Sequence, residues 1–198
     1  MRNQYYIIRH GHYLGNTKNI ASCWPEKSLL PLTKKGKQEI KEVAKKIKNK
    51  KIDLIFSSDL LRTKQTAEII GKELGIKPKT DKRLREDNVG IFNEKLIDEI
   101  GRFWDKERKL SPLEYYKKRF QIAPPQGETY TDVEERLSNF IKETEKKYKG
   151  KNILIVGHRR PLTLLEKVTY NHSFKKFVKI IIEKKEIKTG ELRKLKLK

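Results

Sequence analysis

Two histidines and two arginines stand just beyond apolar runs, where a folded chain would present them together. Tyr5-Tyr6-Ile7-Ile8 leads into Arg9-His10-Gly11, the apolar residues 153–156 lead into Gly157-His158, and residues 52–57 are followed closely by Arg62. A neutral imidazole keeps a lone pair on one ring nitrogen, so His10 can serve as a nucleophile. Arg9 and Arg62 carry guanidinium forks that match the oxygens of a phosphate in pairs and do not lose their charge. A protonated His158 would add a donor and a positive charge where transition-state charge gathers. Gly11 permits a sharp turn beside such a group, and Asn16 offers its side-chain amide. Phosphoryl transfer needs this set: a nucleophile, cations around the equatorial oxygens, and an acid for the leaving oxygen. Glu86, Asp87, Glu94 and Glu128 are carboxylates available for the last role.

Converging these positions requires strands that end at one rim. Residues 4–8, 52–57 and 153–156 read as short buried strands. Residues 33–50 read as a helix, with Thr33 as N-cap and Ile40, Val43, Ala44 and Ile47 on one face. Residues 61–74 read as a second helix with Gly75 as its C-cap. Further on, residues 94–109 place Leu96, Ile100, Phe103 and Trp104 on one helical face, and Ser111-Pro112-Leu113-Glu114 carries a capping-box pattern. Pro124-Pro125-Gln126-Gly127 breaks the chain. Thr131-Asp132-Val133-Glu134 then opens a long helix with the stripe Val133, Leu137, Phe140 and Ile141, and residues 162–168 form a short one. From Phe177 onward one or two strands are expected, with a turn at Thr189-Gly190. This alternation implies an α/β layered fold with a largely parallel sheet, where ligands collect beyond the carboxyl ends of the strands. No repeat or low-complexity linker divides the chain, so one domain is expected over residues 1–198.

Arg9-His10-Gly11 followed by Asn16 resembles the signature of the histidine phosphatase superfamily, also called the phosphoglycerate mutase-like family. Three further blocks agree in order. The stretch Ser57-Ser58-Asp59-Leu60-Leu61-Arg62-Thr63-Lys64-Gln65-Thr66-Ala67 resembles the block with the family's second arginine. Leu84-Arg85-Glu86 with Gly90 resembles the block with its proton donor, and Val156-Gly157-His158 the block with its second histidine. Pro125-Gln126-Gly127-Glu128-Thr129 is similar to a further family stretch, and the likeness spans roughly residues 5–170. It implies a three-layer α/β/α fold with a mainly parallel central sheet and a small helical cap insertion at about residues 91–125. By the same resemblance His10 becomes the phosphohistidine, Glu86 the general acid, and Arg9, Asn16, Arg62 and His158 the phosphate pocket, with no metal and no cofactor. The chain departs from the pattern in two places. His12 and Tyr13 replace an acidic or amide residue and a small hydroxyl, and Arg159-Arg160 follow the second histidine where the family commonly has glycine. Arg159 either crowds the pocket mouth or binds a second anionic group of the substrate.

The expected activity is a phosphomonoesterase acting on a small phosphorylated substrate. The alternatives are a mutase of the phosphoglycerate type and an inactive member of the fold that binds polyanions. A mutase must shield its phosphohistidine from water, and the insertion and lysine-rich tail here are short, which favours the phosphatase. The net charge of +22 invites a nucleic-acid reading. However, lysines outnumber arginines 36 to 12 and are spread over nearly every helix face, so general attraction of anions is favoured over a nucleic-acid surface. His12 and His172 read as pocket-mouth or surface residues. Cys23 reads as an ordinary packed thiol; as the single cysteine it excludes an intrachain disulfide and fits a reducing compartment. The first apolar run is too short for a signal-peptide core or a membrane span, so a cytoplasmic protein is expected.

Overall fold

A computed structural model of the chain describes residues 2–106 and 109–197. Its centre is the pair β1 (Gln4–Arg9) and β4 (Asn152–Gly157), parallel and in register with Ile7 opposite Ile155. Both strands read as unbroken apolar runs because both of their faces are covered. Tyr5, Ile7, Ile153 and Ile155 point to one side, and Tyr6, Ile8, Leu154 and Val156 to the other. Outside this pair lie β2 (Leu54–Ser57), the short edge strand β3 (Lys79–Thr80) and β5 (Leu192–Leu195). The order is β3-β2-β4-β1-β5, with only β5 antiparallel among the described strands.

Helices α2 (Lys34–Ile47) and α3 (Leu61–Leu74) cover one face with Ile40, Ala44, Ile47, Ala67 and Ile70. Helices α6 (Tyr130–Lys147), α7 (Arg159–Thr169) and α8 (Phe174–Ile182) cover the other with Val133, Leu137, Phe140, Leu162, Leu165 and Phe177. The result is the expected three-layer α/β/α arrangement. The expected insertion, residues 91–125, contains α4 (Ile97–Trp104) and α5 (Pro112–Gln121); Ile100 and Trp104 form a separate small core with Cys23 and Val89. Among the described residues no helix is long and apolar enough to cross a membrane.

Several local features follow their sequence signals. The Thr33 hydroxyl accepts from the Gly36 N–H, and Gly75 ends α3 in the left-handed region at φ 69°. Others differ. The cap of α6 is Thr129, whose hydroxyl accepts from Asp132 N–H while the Asp132 carboxylate accepts in return; Thr131 lies inside the helix. The segment from Phe177 belongs to α8 rather than to a strand. Its β-branched run suggested extension, but Phe174, Phe177, Val178 and Ile181 also share a helical face against the core, and the Ser173 hydroxyl caps it. A single strand, β5, follows the turn at Gly190 (φ 69°).

Helix α7 begins at Arg159 rather than at 162, since Pro161 in a first turn removes no helical hydrogen bond. The helix expected over 94–109 is shorter. Glu94 sits at φ 67° before it, and Asp105 ends it by accepting from Lys109 and Leu110 N–H. Ile100 and Trp104 are buried but Leu96 and Phe103 are exposed, and residues 107 and 108 lie outside the described residues. The five-residue helix α1 (Leu14–Lys18), directly after the β1 rim, carries no periodic signal.

Candidate active site

The carboxyl ends of β1 and β4 meet where the His10 N–H donates to the Gly157 carbonyl at 3.1 Å. The His10 side chain is 1% exposed, and its Nδ1 lies 2.9 Å from the Gly11 carbonyl oxygen. A carbonyl can only accept, so Nδ1 carries the ring proton and Nε2 keeps its lone pair. Burial, and then the charges of Arg62 and Arg9, hold the ring well below the ordinary histidine pKa. His10 is therefore a neutral imidazole with an unprotonated Nε2 at neutral pH.

Gly11 serves this geometry differently from the expectation of a sharp turn beside a bound group. It does not line the cavity. A Cβ there would stand 2.8 Å from Ile40 Cγ1 and 2.9 Å from the Gly36 carbonyl oxygen, so Gly11 permits the close approach of α2. Its N–H donates to Thr66 Oγ1 at 3.1 Å, and that hydroxyl donates to the Arg62 carbonyl at 2.7 Å, linking the β1 rim to α3.

A cavity of about 180 Å³ opens beside His10. Arg9, Asn16, Glu86 and Arg159 line it with His10, as do Tyr13, Ser22, Cys23 and Asp87, while Tyr115 and Arg119 close it from the cap. Burial and the neighbouring Arg159 bring the Arg9 pKa down to about 10, still charged at neutral pH, and its buried Nε has no hydrogen-bond partner among the described residues. Asn16 accepts from the Tyr13 N–H through Oδ1 at 3.2 Å, which leaves its amide hydrogens to donate.

Arg62 and His158 lie behind the cavity wall rather than in it. Arg62 is 1% exposed, donates to the Ser22 carbonyl at 2.8 Å and lies over the Tyr13 ring at 4.7 Å. Its Nε is also unpartnered among the described residues. His158 is fully buried, with its ring centroid 5.4 Å from that of His10 and Nδ1 3.9 Å from Glu86 Oε2. Neither of its ring nitrogens has a partner among the described residues. Burial, Arg62 and His10 push its pKa well below the ordinary range, so the ring is neutral as the pocket stands.

Of the four carboxylates, Glu86 alone faces the cavity without an ion pair shorter than its 3.9 Å approach to His158. Burial and then Asp87 raise its pKa to about 7. Asp87 pairs with Arg119 at 2.8 Å, and Glu128 pairs with Arg136 at 3.1 Å. Glu94 accepts from Lys27 N–H, Ser28 N–H and the Ser28 hydroxyl.

His12 bonds Thr33 Oγ1 at 3.1 Å and His172 lies beside Tyr170; neither lines the cavity. Cys23 is 1% exposed, and burial pushes its thiol up to about 11, as for a packed thiol, although it forms part of the wall. Sequence reasoning does not reach Tyr13, Ser22, Tyr115 and Arg119 as site residues, although all four line the cavity. Tyr13 was visible as a departure from the family pattern, and its ring now packs edge-on to His10 at 5.0 Å. Nothing local in the sequence marks the other three.

The model of the histidine phosphatase superfamily (branch 1) matches residues 5–193. Probable phosphoglycerate mutase GpmB of Escherichia fergusonii is 34% identical over 155 residues, which cover 78% of this chain and 69% of that protein. The protein of that name from Yersinia pestis is 33% identical over 162 residues, 82% of this chain and 72% of that one. Among solved structures, mycobacterial glucosyl-3-phosphoglycerate phosphatase in complex with VO3 superposes with a TM-score of 0.80 at 19% identity, over 97% of this chain and 91% of that chain. A putative alpha-ribazole-5'-P phosphatase of Escherichia coli superposes with a TM-score of 0.77 at 20% identity, over 99% and 97%. At such identities the structures share the fold.

Proposed function

The chain belongs to the histidine phosphatase superfamily, branch 1, and from that premise we propose that it is a phosphomonoesterase working through a phosphohistidine on His10. The observation that carries this reading is the pairing of opposite protonation states in one cavity. His10 is held neutral with Nε2 free, while Glu86 is raised to about 7 and so keeps a transferable proton near neutrality.

In the first step the Nε2 lone pair attacks phosphorus opposite the leaving oxygen. The phosphorus–oxygen bond breaks, its electrons stay on the departing oxygen, and that oxygen takes the Glu86 proton. In the second step water adds to phosphorus and the phosphorus–nitrogen electrons return to Nε2. The Glu86 carboxylate takes a proton from that water. The products are an alcohol and inorganic phosphate, with both residues restored. Arg9 and Asn16 donate to the phosphoryl oxygens. Arg62 and His158 contribute from behind the wall, where their unpartnered N–H groups gain an acceptor and His158 gains the anion that favours its protonated form.

Wild type should release phosphate from an alkyl phosphate in a strong chelator, and alkaline quenching should trap an acid-labile phosphate on His10. His10→Ala should lose turnover by about 10³-fold or more with an unchanged denaturant midpoint. Label on Ser57 or Cys23, or activity restored only by a divalent cation, overturns the mechanism. The 33–34% identity to probable mutases favours mutase chemistry as a second reading. Incubation with 3-phosphoglycerate separates the two, since a phosphatase frees phosphate and a mutase yields 2-phosphoglycerate.

A further inference from the structure

One ring touches both the nucleophile and the arginine behind it. Tyr13 lines the cavity yet is only 5% exposed. Its ring packs edge-on to the His10 imidazole at 5.0 Å, and the Arg62 guanidinium carbon lies 4.7 Å from the centre of the same ring. Tyr13 is itself held on several sides. Leu30 and Leu32 form a small core with it, and a backbone bridge joins it to Leu32. Asn16 bonds it twice, accepting from the Tyr13 N–H through Oδ1 at 3.2 Å and donating its own N–H to the Tyr13 carbonyl at 3.0 Å. Burial raises the Tyr13 pKa above the ordinary tyrosine value, so the ring is a neutral phenol that offers Arg62 an uncharged π face.

Hydrogen bonds alone leave both partners of this ring partly free. Arg62 Nη2 donates to the Ser22 carbonyl at 2.8 Å, but Nη1 is 3.4 Å from the Ser22 hydroxyl oxygen and 3.9 Å from Glu26. These contacts all hold the Nη end. A guanidinium pinned at one end still turns about that end, and a surface against its face is what fixes its plane. The plane matters because the fork bonds phosphoryl oxygens through N–H groups that lie in it, and Arg62 Nε is buried and unpartnered among the described residues. His10 is pinned by one hydrogen bond of Nδ1 to the Gly11 carbonyl, with His158 at 5.4 Å and Tyr13 at 5.0 Å closing its flanks. Two residues beyond Tyr13 the chain makes room for the ring. A Cβ at Gly15 would stand 2.6 Å from Tyr13 Cζ, and its three nearest atoms all belong to that side chain. Gly15 lies inside α1, where alanine favours the helix, so glycine here serves the Tyr13 ring.

We propose that Tyr13 is a positioning residue for phosphoryl transfer, its ring holding the Arg62 guanidinium plane and the His10 imidazole in the mutual orientation that lets Nε2 attack phosphorus while Arg62 donates to its oxygens. This role rests on the phosphatase reading and concerns the same site. It gives a use to the departure at position 13, where a ring stands in place of a small hydroxyl, and pairs that ring with Gly15. Alignment counts most when the phosphoryl oxygens spread into the equatorial plane, so the ring acts on kcat more than on KM.

Three substitutions test it. Tyr13→Phe keeps the ring, Tyr13→Leu removes it, and Gly15→Ala pushes it aside without altering its chemistry. Tyr13→Leu should lower kcat on an alkyl phosphate by roughly 10- to 30-fold, the scale of one desolvated cation–π contact, with KM within about 3-fold. Tyr13→Phe should lose far less. Gly15→Ala alone should lower kcat, but it should add almost nothing to Tyr13→Leu, whose side chain ends short of the crowded atoms. Binding gives a readout that lost packing would not move. Orthovanadate, which takes a five-coordinate geometry on the nucleophile, should bind Tyr13→Leu about 10-fold more weakly than wild type, while inorganic phosphate weakens by less than about 3-fold. The same ordering is expected for Gly15→Ala, which carries the test should Tyr13→Leu fail to fold. Equal losses in Tyr13→Phe and Tyr13→Leu overturn the role of the ring, as do additive losses in the double variant or equal weakening of orthovanadate and phosphate. Failure of the phosphatase reading appears separately, as wild type that releases no phosphate from the ester, and orthovanadate binding still tests the ring without turnover.

Discussion

His10 and Glu86 are displaced in opposite directions from their ordinary pKa values, and burial is the first cause of both shifts. Desolvation penalises whichever form is charged, so it deprotonates the imidazole and protonates the carboxyl. The sign for activity follows. In the proposed mechanism phosphoryl transfer to His10 needs Glu86 protonated, so kcat/KM for an alkyl phosphate should fall as pH rises through about 7. Glu86→Gln keeps shape and hydrogen bonding but has no proton to give. It should lose roughly 10²–10⁴-fold on an alkyl ester and far less on an activated aryl ester. Its profile should also lack the alkaline limb, and ionisation of the substrate itself cancels between the two proteins. Single-turnover rates across pH on both esters check this; equal losses on both would move the acid to Asp87. At this scale the sequence was informative where function is local. Arg9-His10-Gly11 and Gly157-His158 end their strands, so their placement follows from apolar runs. Arg119 and Tyr115 reach the cavity only through the path of the cap, which no short pattern encodes.

At the scale of elements, the reactive turn is set by how closely α2 lies against it. Gly36, in the first turn of α2, comes so near the chain that a Cβ would stand 2.0 Å from the His12 carbonyl oxygen. Alanine favours a helix over glycine by about 1 kcal/mol, but overpacking against backbone costs about 1–3 kcal/mol or more. Packing therefore wins, and Gly36→Ala should lower the denaturant midpoint and the turnover together by displacing the residues that follow His10. Gly101 in α4 is the control. A Cβ there meets nothing within 4 Å, so Gly101→Ala should stabilise by roughly 0.5–1 kcal/mol. Opposite signs are expected in urea titrations of the two variants; a stabilised Gly36→Ala would mean that α2 does not hold the turn. The same contrast explains which elements could be read in advance. Helices α2, α3 and α6 carry apolar stripes that match their contacts with the sheet, and β1 and β4 are apolar on both faces. Helix α8 departs from the strand expected there because its β-branched run satisfies strand propensity and a helical face at once, and only packing against Tyr116, Phe120 and Tyr130 decides between them.

For the molecule as a whole, the excess of positive charge acts over distances that no single contact spans. The chain carries 48 basic and 26 acidic residues. Many carboxylates are already engaged, Glu73 with Lys48 and Asp59 with Arg85 among them, so the net field comes from cations left over across the surface. Such a field raises the encounter rate of a dianionic ester without choosing among esters. Salt screens it, with a Debye length of about 10 Å at 0.1 M. Contacts at His10 are screened much less, because His10 and the Arg62 and His158 side chains behind it are fully or almost fully buried. Hence kcat/KM should fall smoothly, by roughly 3- to 10-fold, between about 0.02 and 0.5 M salt, while kcat at saturation stays within about 2-fold. The decline should be steeper for a doubly anionic ester than for a singly phosphorylated neutral one, since the energy in the field scales with ligand charge. Mixed-sequence DNA tests what the surface is for. A field that only steers leaves DNA a weak inhibitor whose effect vanishes at about 0.2 M salt. Collapse of kcat with modest salt would place the surface charge inside the chemistry. Tight inhibition by DNA at that ionic strength would instead make the lysines a polyanion seat in their own right.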